Sequence, residues 1–491
     1  MTGDTVRNSH AVAWAAAALP FLAAIACGGD ARERSAPDSE AVLSRLSPGI
    51  VLASEEPPAW TLAERMTRAS APAVTVSFVD ASWSGWTRAA GVLRAGGETP
   101  ATPDTRFMVK SLAKPVTAFA ALRLVDQGIL ELDAPLDTYL ERWHVPDNEF
   151  TRATPPTLRQ LLAHRAGFTM WGVPSYAPDD PRPTLVQILE GELPEDFSPI
   201  TIDYEPGTDS RYSGGGYSVL HLLLEDVTGE AFPDLMRRLV LAPLGMGHSL
   251  FAPTVPDSLA DVTAVGHEDG EPLEHWEALV QLSAGGLVST APDLGRFVAE
   301  VDRAWRGESI LLPQGLAREM LSDHGDGRGL GFEVSGTGDS LVFRHTGAGD
   351  GFRSLILGLP SRGQGIVMLL NADDARAGEL REEVVRAAVL VAGWPGLEPE
   401  VRSTANLDTG WIRRMVGRYE YSDGSTTTVT PSDGGLLAAW GDAEPVSLYP
   451  SDSLRWFTRS SESFTFELRG GNVTALVWSG DFGEFRAVRR P

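Results

Sequence analysis

A strand that runs into a helix across a single serine constrains this chain more than any other stretch. Residues 107–111 read Phe-Met-Val-Lys-Ser, a short apolar strand that ends at Ser111. The apolar positions Val116, Phe119, Ala120 and Leu124 then repeat at helical spacing, and Gly128 supplies a stop. Ser111 and Lys114 are three apart, so they stack one turn above the other on one helix face. A serine at a helix N-terminus meets unpaired N–H groups and the positive end of the dipole, which favour an alkoxide. A lysine one turn in feels the same field. Burial would lower its pKa further, towards that of a usable base.

Composition sharpens this reading. Of 41 basic residues only Lys110 and Lys114 are lysines; the rest are arginines. Arginine keeps its proton near neutral pH, whereas a lysine of shifted pKa gives it up. Lysine at 114 therefore points to chemistry rather than to charge alone. A serine that simply caps the helix is the structural alternative.

At 491 residues the chain has room for several domains. A net charge of −25 argues against nucleic acid and against electrostatic docking on anionic lipid. The single cysteine, Cys27, excludes an intramolecular disulfide. It follows an apolar, alanine-rich run at residues 11–26, which reads as an export signal over residues 1–26. The sequence Ala24-Ile-Ala-Cys27 resembles a bacterial lipobox, which implies lipid attachment at Cys27 and a location in the cell envelope. That anchor is the only membrane contact expected; without it, the same signal implies a secreted protein.

Residues 27–58, rich in Gly, Ser, Pro, Glu and Asp, are expected to form a flexible tether. Residues 60–69 read as a helix and 73–79 as a strand, with its hairpin partner in 82–93. Residues 171–210 read as a loop-rich insertion. Tyr212-Ser-Gly-Gly-Gly-Tyr217 leads into a helix at 219–227 ended by Gly229, and residues 341–347 are a strand running into a glycine turn. After a boundary at 399–408 the pattern changes to eight short strands between 417 and 489, the pattern of a small antiparallel barrel or sandwich.

Three motifs now stand in order: Ser111-Leu-Ala-Lys114, Tyr212-Ser-Gly214 and His345-Thr-Gly347. The set resembles the serine beta-lactamase and penicillin-binding superfamily, and its tyrosine resembles class C beta-lactamases, family VIII esterases and D-amino-acid peptidases. Flanking residues match as well: His164-Arg-Ala-Gly167, Glu205-Pro-Gly207 and the Gly285-Gly286 segment. The resemblance covers roughly residues 60–395. It implies an α/β (α+β) domain at 59–398, with an antiparallel sheet flanked by helices and a helical subdomain. A lipocalin-like β-barrel domain at 409–491 would follow.

The resemblance makes Ser111 the acylated nucleophile, Lys114 its proton acceptor or relay, and Tyr212 the general base. His345, Gly347, Gly349 and Gly214 fall to substrate and oxyanion binding, the backbone N–H groups of Ser111 and Gly349 forming the oxyanion hole. Two positions depart from the family pattern. Gly214 replaces an asparagine that meets the substrate amide, and His345 replaces a lysine that meets a substrate carboxylate. Both departures favour an ester, or a short peptide, over a beta-lactam. No cofactor is implied. Asp323, His324, Asp326, His267, Glu268 and His275 lack metal-ligand spacing and read as surface loops. A non-catalytic envelope-binding or sensor protein on the same fold is the alternative.

Overall fold

The computed structural model describes residues 36–80, 85–192, 198–396, 398–432, 435–441, 445–460, 462–480 and 483–490. Its centre is a six-stranded antiparallel sheet in the order Glu333–Ser335, Val342–Gly349, Phe352–Leu359, Gln364–Leu370, Ala73–Val79, Trp86–Gly91. The sheet's first strand in chain order, Ala73–Val79, thus lies beside its last, Gln364–Leu370. Helix Ala375–Ala392 covers one face, where Leu380, Val384 and Ala388 meet Ile366, Met368 and Leu370. Helix Ala291–Arg306 covers the other, where Phe297, Val298 and Val301 meet Val367 and Leu369. Both faces are therefore dry. All seven residues of Ala73–Val79 are buried, so the strand has no solvent side.

Between the first and second halves of the sheet lies a helical subdomain. Helix Ala113–Asp126 is buried along almost its whole length and packs beside Gly214–Thr228 in the same core. The latter ends on Gly229 at φ 66°, a left-handed cap that glycine adopts freely. It starts five residues earlier than periodicity suggests, because Gly214, Gly215 and Gly216 form its first turn rather than a loop. Strand Val342–Gly349 likewise continues through the expected glycine turn.

Residues 36–58 correct the tether expectation. Helix Ser39–Leu43 packs on Ala375–Ala392, and strand Ile50–Leu52 pairs in parallel with Glu400–Arg402. Val42, Leu46 and Ile50 are fully buried, so this polar segment is held by a few apolar anchors too widely spaced to show a period. The expected signal, and Cys27 with it, lie outside the described residues.

The eight C-terminal strands fall where the turn signals divide them and close into a barrel from Gly417–Glu420 to Gly483–Arg490. Tyr419, Leu436, Leu448, Trp456, Phe464, Phe466 and Leu476 fill its interior. The barrel docks through Phe457, which packs with Ile50 and Leu52, and through a hydrogen bond from Ile50 N to Arg459 O of 3.0 Å.

Candidate active site

Ser111 sits in a single turn, Lys110–Leu112, between strand Phe107–Met108 and helix Ala113–Asp126. The chain turns sharply there: Lys110 has φ 52°, an uncommon conformation for a side-chain-bearing residue. Two contacts hold the turn. Ser354 Oγ donates to Val109 O at 2.8 Å, and Lys110 Nζ forms an ion pair of 2.5 Å with Asp350 in the hairpin turn after Gly349. Ser111 itself stays partly accessible, while Lys114 is buried.

Helical spacing delivers what it promises at this point. Lys114 Nζ lies 3.2 Å from Ser111 Oγ and donates to Ala284 O at 2.7 Å. Burial lowers the Lys114 pKa to about 7, so near neutral pH much of the amine is free to accept a proton. The amine also faces the rings of Tyr212 and Tyr217, at 4.8 and 5.7 Å from their centroids. Those faces favour the ammonium when it forms.

Tyr212 reaches the same serine from the other side and donates its hydroxyl to Ser111 Oγ at 2.8 Å. Burial pushes its phenol above the ordinary tyrosine range, which disfavours a resident phenolate. Ser213, next in sequence, caps the helix by accepting from Gly216 N at 2.8 Å. Behind Tyr212 stands His164, whose ring centroid is 4.5 Å from the phenol ring and 5.2 Å from Tyr217. His164 accepts from Ser213 N through Nδ1 at 3.1 Å, and burial keeps its pKa well below the usual histidine value. It is a neutral strut that fixes the tyrosine. The sequence marked it only as the first residue of the flanking His164-Arg-Ala-Gly167 segment, and its contact with Tyr217 depends on the helix starting at Gly214.

His345 lies on strand Val342–Gly349 with its ring 6.3 Å from Tyr212. Its Nδ1–H donates to Thr346 O at 2.8 Å. Burial, aided by Lys114, lowers its pKa to about 3, so it carries no charge at neutral pH or in mild acid. Gly347 passes hard against the Ser111 turn: a Cβ there would stand 2.4 Å from Val109 O and 3.2 Å from Ser111 N. Gly349 ends the strand at φ 124°.

Gly214 points into no open space. A Cβ there would meet Val173 Cγ1 at 2.9 Å and Gly172 O at 3.0 Å. Residues 172 and 173 fill the space that a side chain at position 214 would enter. Trp171, on that loop, is 65% exposed with its ring 5.8 Å from Tyr212.

Among the described residues no group of three or more acidic, histidine or cysteine side chains is placed to hold a metal. His267 is not a surface residue. It is fully buried, accepting from Ala95 N at 3.0 Å and donating to Asn371 O at 3.0 Å. No helix of the described residues is long and apolar enough to cross a membrane.

Comparison with known proteins fits this geometry. The profile of the Beta-lactamase family matches residues 60–390. Penicillin-binding protein 4* of Bacillus subtilis (strain 168) is 24% identical over 79% of this chain and 89% of its own length. Penicillin-binding protein 4 of Amycolatopsis lactamdurans is 30% identical over 43% of this chain; the match spans 54% of that relative, about half its length. Esterase EstB of Burkholderia gladioli is 27% identical over 51% of this chain and 69% of its own. Among solved structures, the octameric penicillin-binding protein homologue from Pyrococcus abyssi superposes with a TM-score of 0.59 at 20% identity, covering 87% of this chain and 98% of that one. That likeness speaks for the fold.

Proposed function

The chain belongs to the Beta-lactamase family of serine hydrolases, and on that premise we propose that it is an exported esterase working through an acyl-Ser111 intermediate. The observation that carries this reading is the position of Ser111 Oγ, 3.2 Å from a buried amine of pKa about 7 and 2.8 Å from a phenol hydroxyl. A serine hydroxyl needs a neighbouring base to become a nucleophile, and a lysine stripped of solvent is one.

In the proposed reaction the neutral Lys114 accepts the Ser111 proton as Oγ bonds to the ester carbonyl carbon. Charge develops on the carbonyl oxygen, for which the family resemblance assigns the N–H groups of Ser111 and Gly349 as donors. The C–O bond to the alcohol then breaks, and the Lys114 proton passes through the Tyr212 hydroxyl to the departing alkoxide. Water attacks the acyl-Ser111 carbon by the same route in reverse. Its proton goes to Lys114 and then back to Ser111 Oγ, and the carboxylic acid leaves. Here Tyr212 relays protons, because burial disfavours its anion.

Support for an ester over a beta-lactam comes from charge and space. His345 is neutral where a carboxylate would need a cation, and the loop beside Gly214 leaves no room for a side-chain amide. Export and lipid attachment at Cys27 rest on the alanine-rich run and the lone cysteine. The test is a substrate panel of p-nitrophenyl esters, D-amino-acid p-nitroanilides and nitrocefin. The expected order is ester first, anilide far behind and nitrocefin least. Nitrocefin turned over faster than every ester would overturn the assignment.

A further inference from the structure

We propose that Trp171 is the specificity-determining surface of this site, a fixed aromatic platform for a flat apolar group of the substrate. The proposal rests on the esterase reading above and names the class of ester. Trp171 is the one tryptophan among the described residues whose side chain is left largely in water, at 65% exposed. Trp394, Trp456 and Trp143 are buried. Leaving so large an apolar face wet forgoes burial that the other tryptophans gain. Here it borders the nucleophile: Trp171 is 5.8 Å from the ring of Tyr212, whose hydroxyl touches Ser111 Oγ.

The platform is held in place rather than loose. Trp171 O accepts from Gly214 N at 3.0 Å, and Met170 O accepts from Gly215 N at 3.1 Å. Ser213 Oγ donates to Thr169 O at 2.8 Å. Three successive loop carbonyls are thus bonded to the three residues that follow Tyr212. Met170 adopts φ 65° to make this possible, an uncommon backbone state that the surrounding bonds impose. The two glycines are required for the fit, since a Cβ at 215 would stand 2.5 Å from Thr169 O. The backbone that carries the indole is therefore tied to the backbone that follows the phenol, which lowers the ordering cost of a group bound on Trp171.

Charge in the neighbourhood agrees with an uncharged guest. Lys110 is committed to Asp350, and His345 is neutral. What remains beside Ser111 is an aromatic wall of Tyr212 and Trp171, backed by the buried His164 and suited to offset stacking.

The test compares ethyl acetate, ethyl phenylacetate and benzyl acetate as substrates of the full chain, for wild type, Trp171→Ala and Trp171→Phe. Reading each variant against wild type on the same ester cancels intrinsic reactivity. The two aryl esters separate recognition on the acyl side from recognition on the alcohol side. Trp171→Ala should lose about ten-fold in kcat/KM on at least one aryl ester, through KM, while ethyl acetate changes less than about two-fold. Trp171→Phe should keep most of the aryl preference. Equal loss on all three esters, or loss on none, would overturn the platform. Hydrolysis of no ester by the wild type would overturn the esterase reading, and the platform with it.

Discussion

Lys114 carries the account at the scale of a single residue. Its amine is buried, bonded to Ala284 O, and lowered to a pKa of about 7 by burial alone. The sign of the pH dependence follows. Below about pH 7 the amine is protonated and cannot take the serine proton; above it the amine is free. We expect kcat/KM to rise through an apparent pKa near 7 and level off in mild base, measured on a neutral ester. Lys114→Arg keeps the charge but cannot release the proton. It should cost at least about 100-fold in kcat at every pH, with the pH step gone. Ser111 and Lys114 were legible in sequence because lysine is so rare in this chain that its placement carries information. Tyr212 and His345 were legible only as motif members, since nothing local says they meet. His164 was the hardest. Its φ of 57° and its stacking on Tyr212 arise from contacts across 48 positions of chain.

At the scale of elements, the start of helix Gly214–Thr228 and the loop 169–173 form one unit. Gly214→Ala tests it. The added methyl meets Val173 Cγ1 at 2.9 Å and a loop carbonyl at 3.0 Å, and the loop bearing Trp171 must shift. We expect a loss of about 1–3 kcal/mol in stability, read by denaturant unfolding, together with a rise in KM on aryl esters. Helix and strand positions were mostly readable, and the eight barrel strands were readable throughout, because their turns carry Gly, Asp and Ser between alternating apolar residues. The glycine run at 214–216 was not, since glycine normally signals a turn and here serves close approach. Residues 36–58 were misread for a related reason: their buried side chains are single anchors in polar surroundings.

At the scale of the whole molecule, the barrel and the hydrolase domain share an interface built from the segment read as a tether. Phe457 is 1% exposed and packs against Ile50 and Leu52, and Arg459 pairs with Glu55. Phe457→Ala should cost about 3 kcal/mol and split the calorimetric unfolding into two transitions, the barrel melting first. A single transition at the wild-type temperature would contradict that coupling. Activation of Ser111 by Lys114 is read out by intact-mass spectrometry with a fluorophosphonate probe. One covalent adduct is expected on the wild-type chain, none on Ser111→Ala, and at most slow labelling of Lys114→Ala. A folded wild-type protein that takes no adduct, or an adduct that persists on Ser111→Ala, would contradict it.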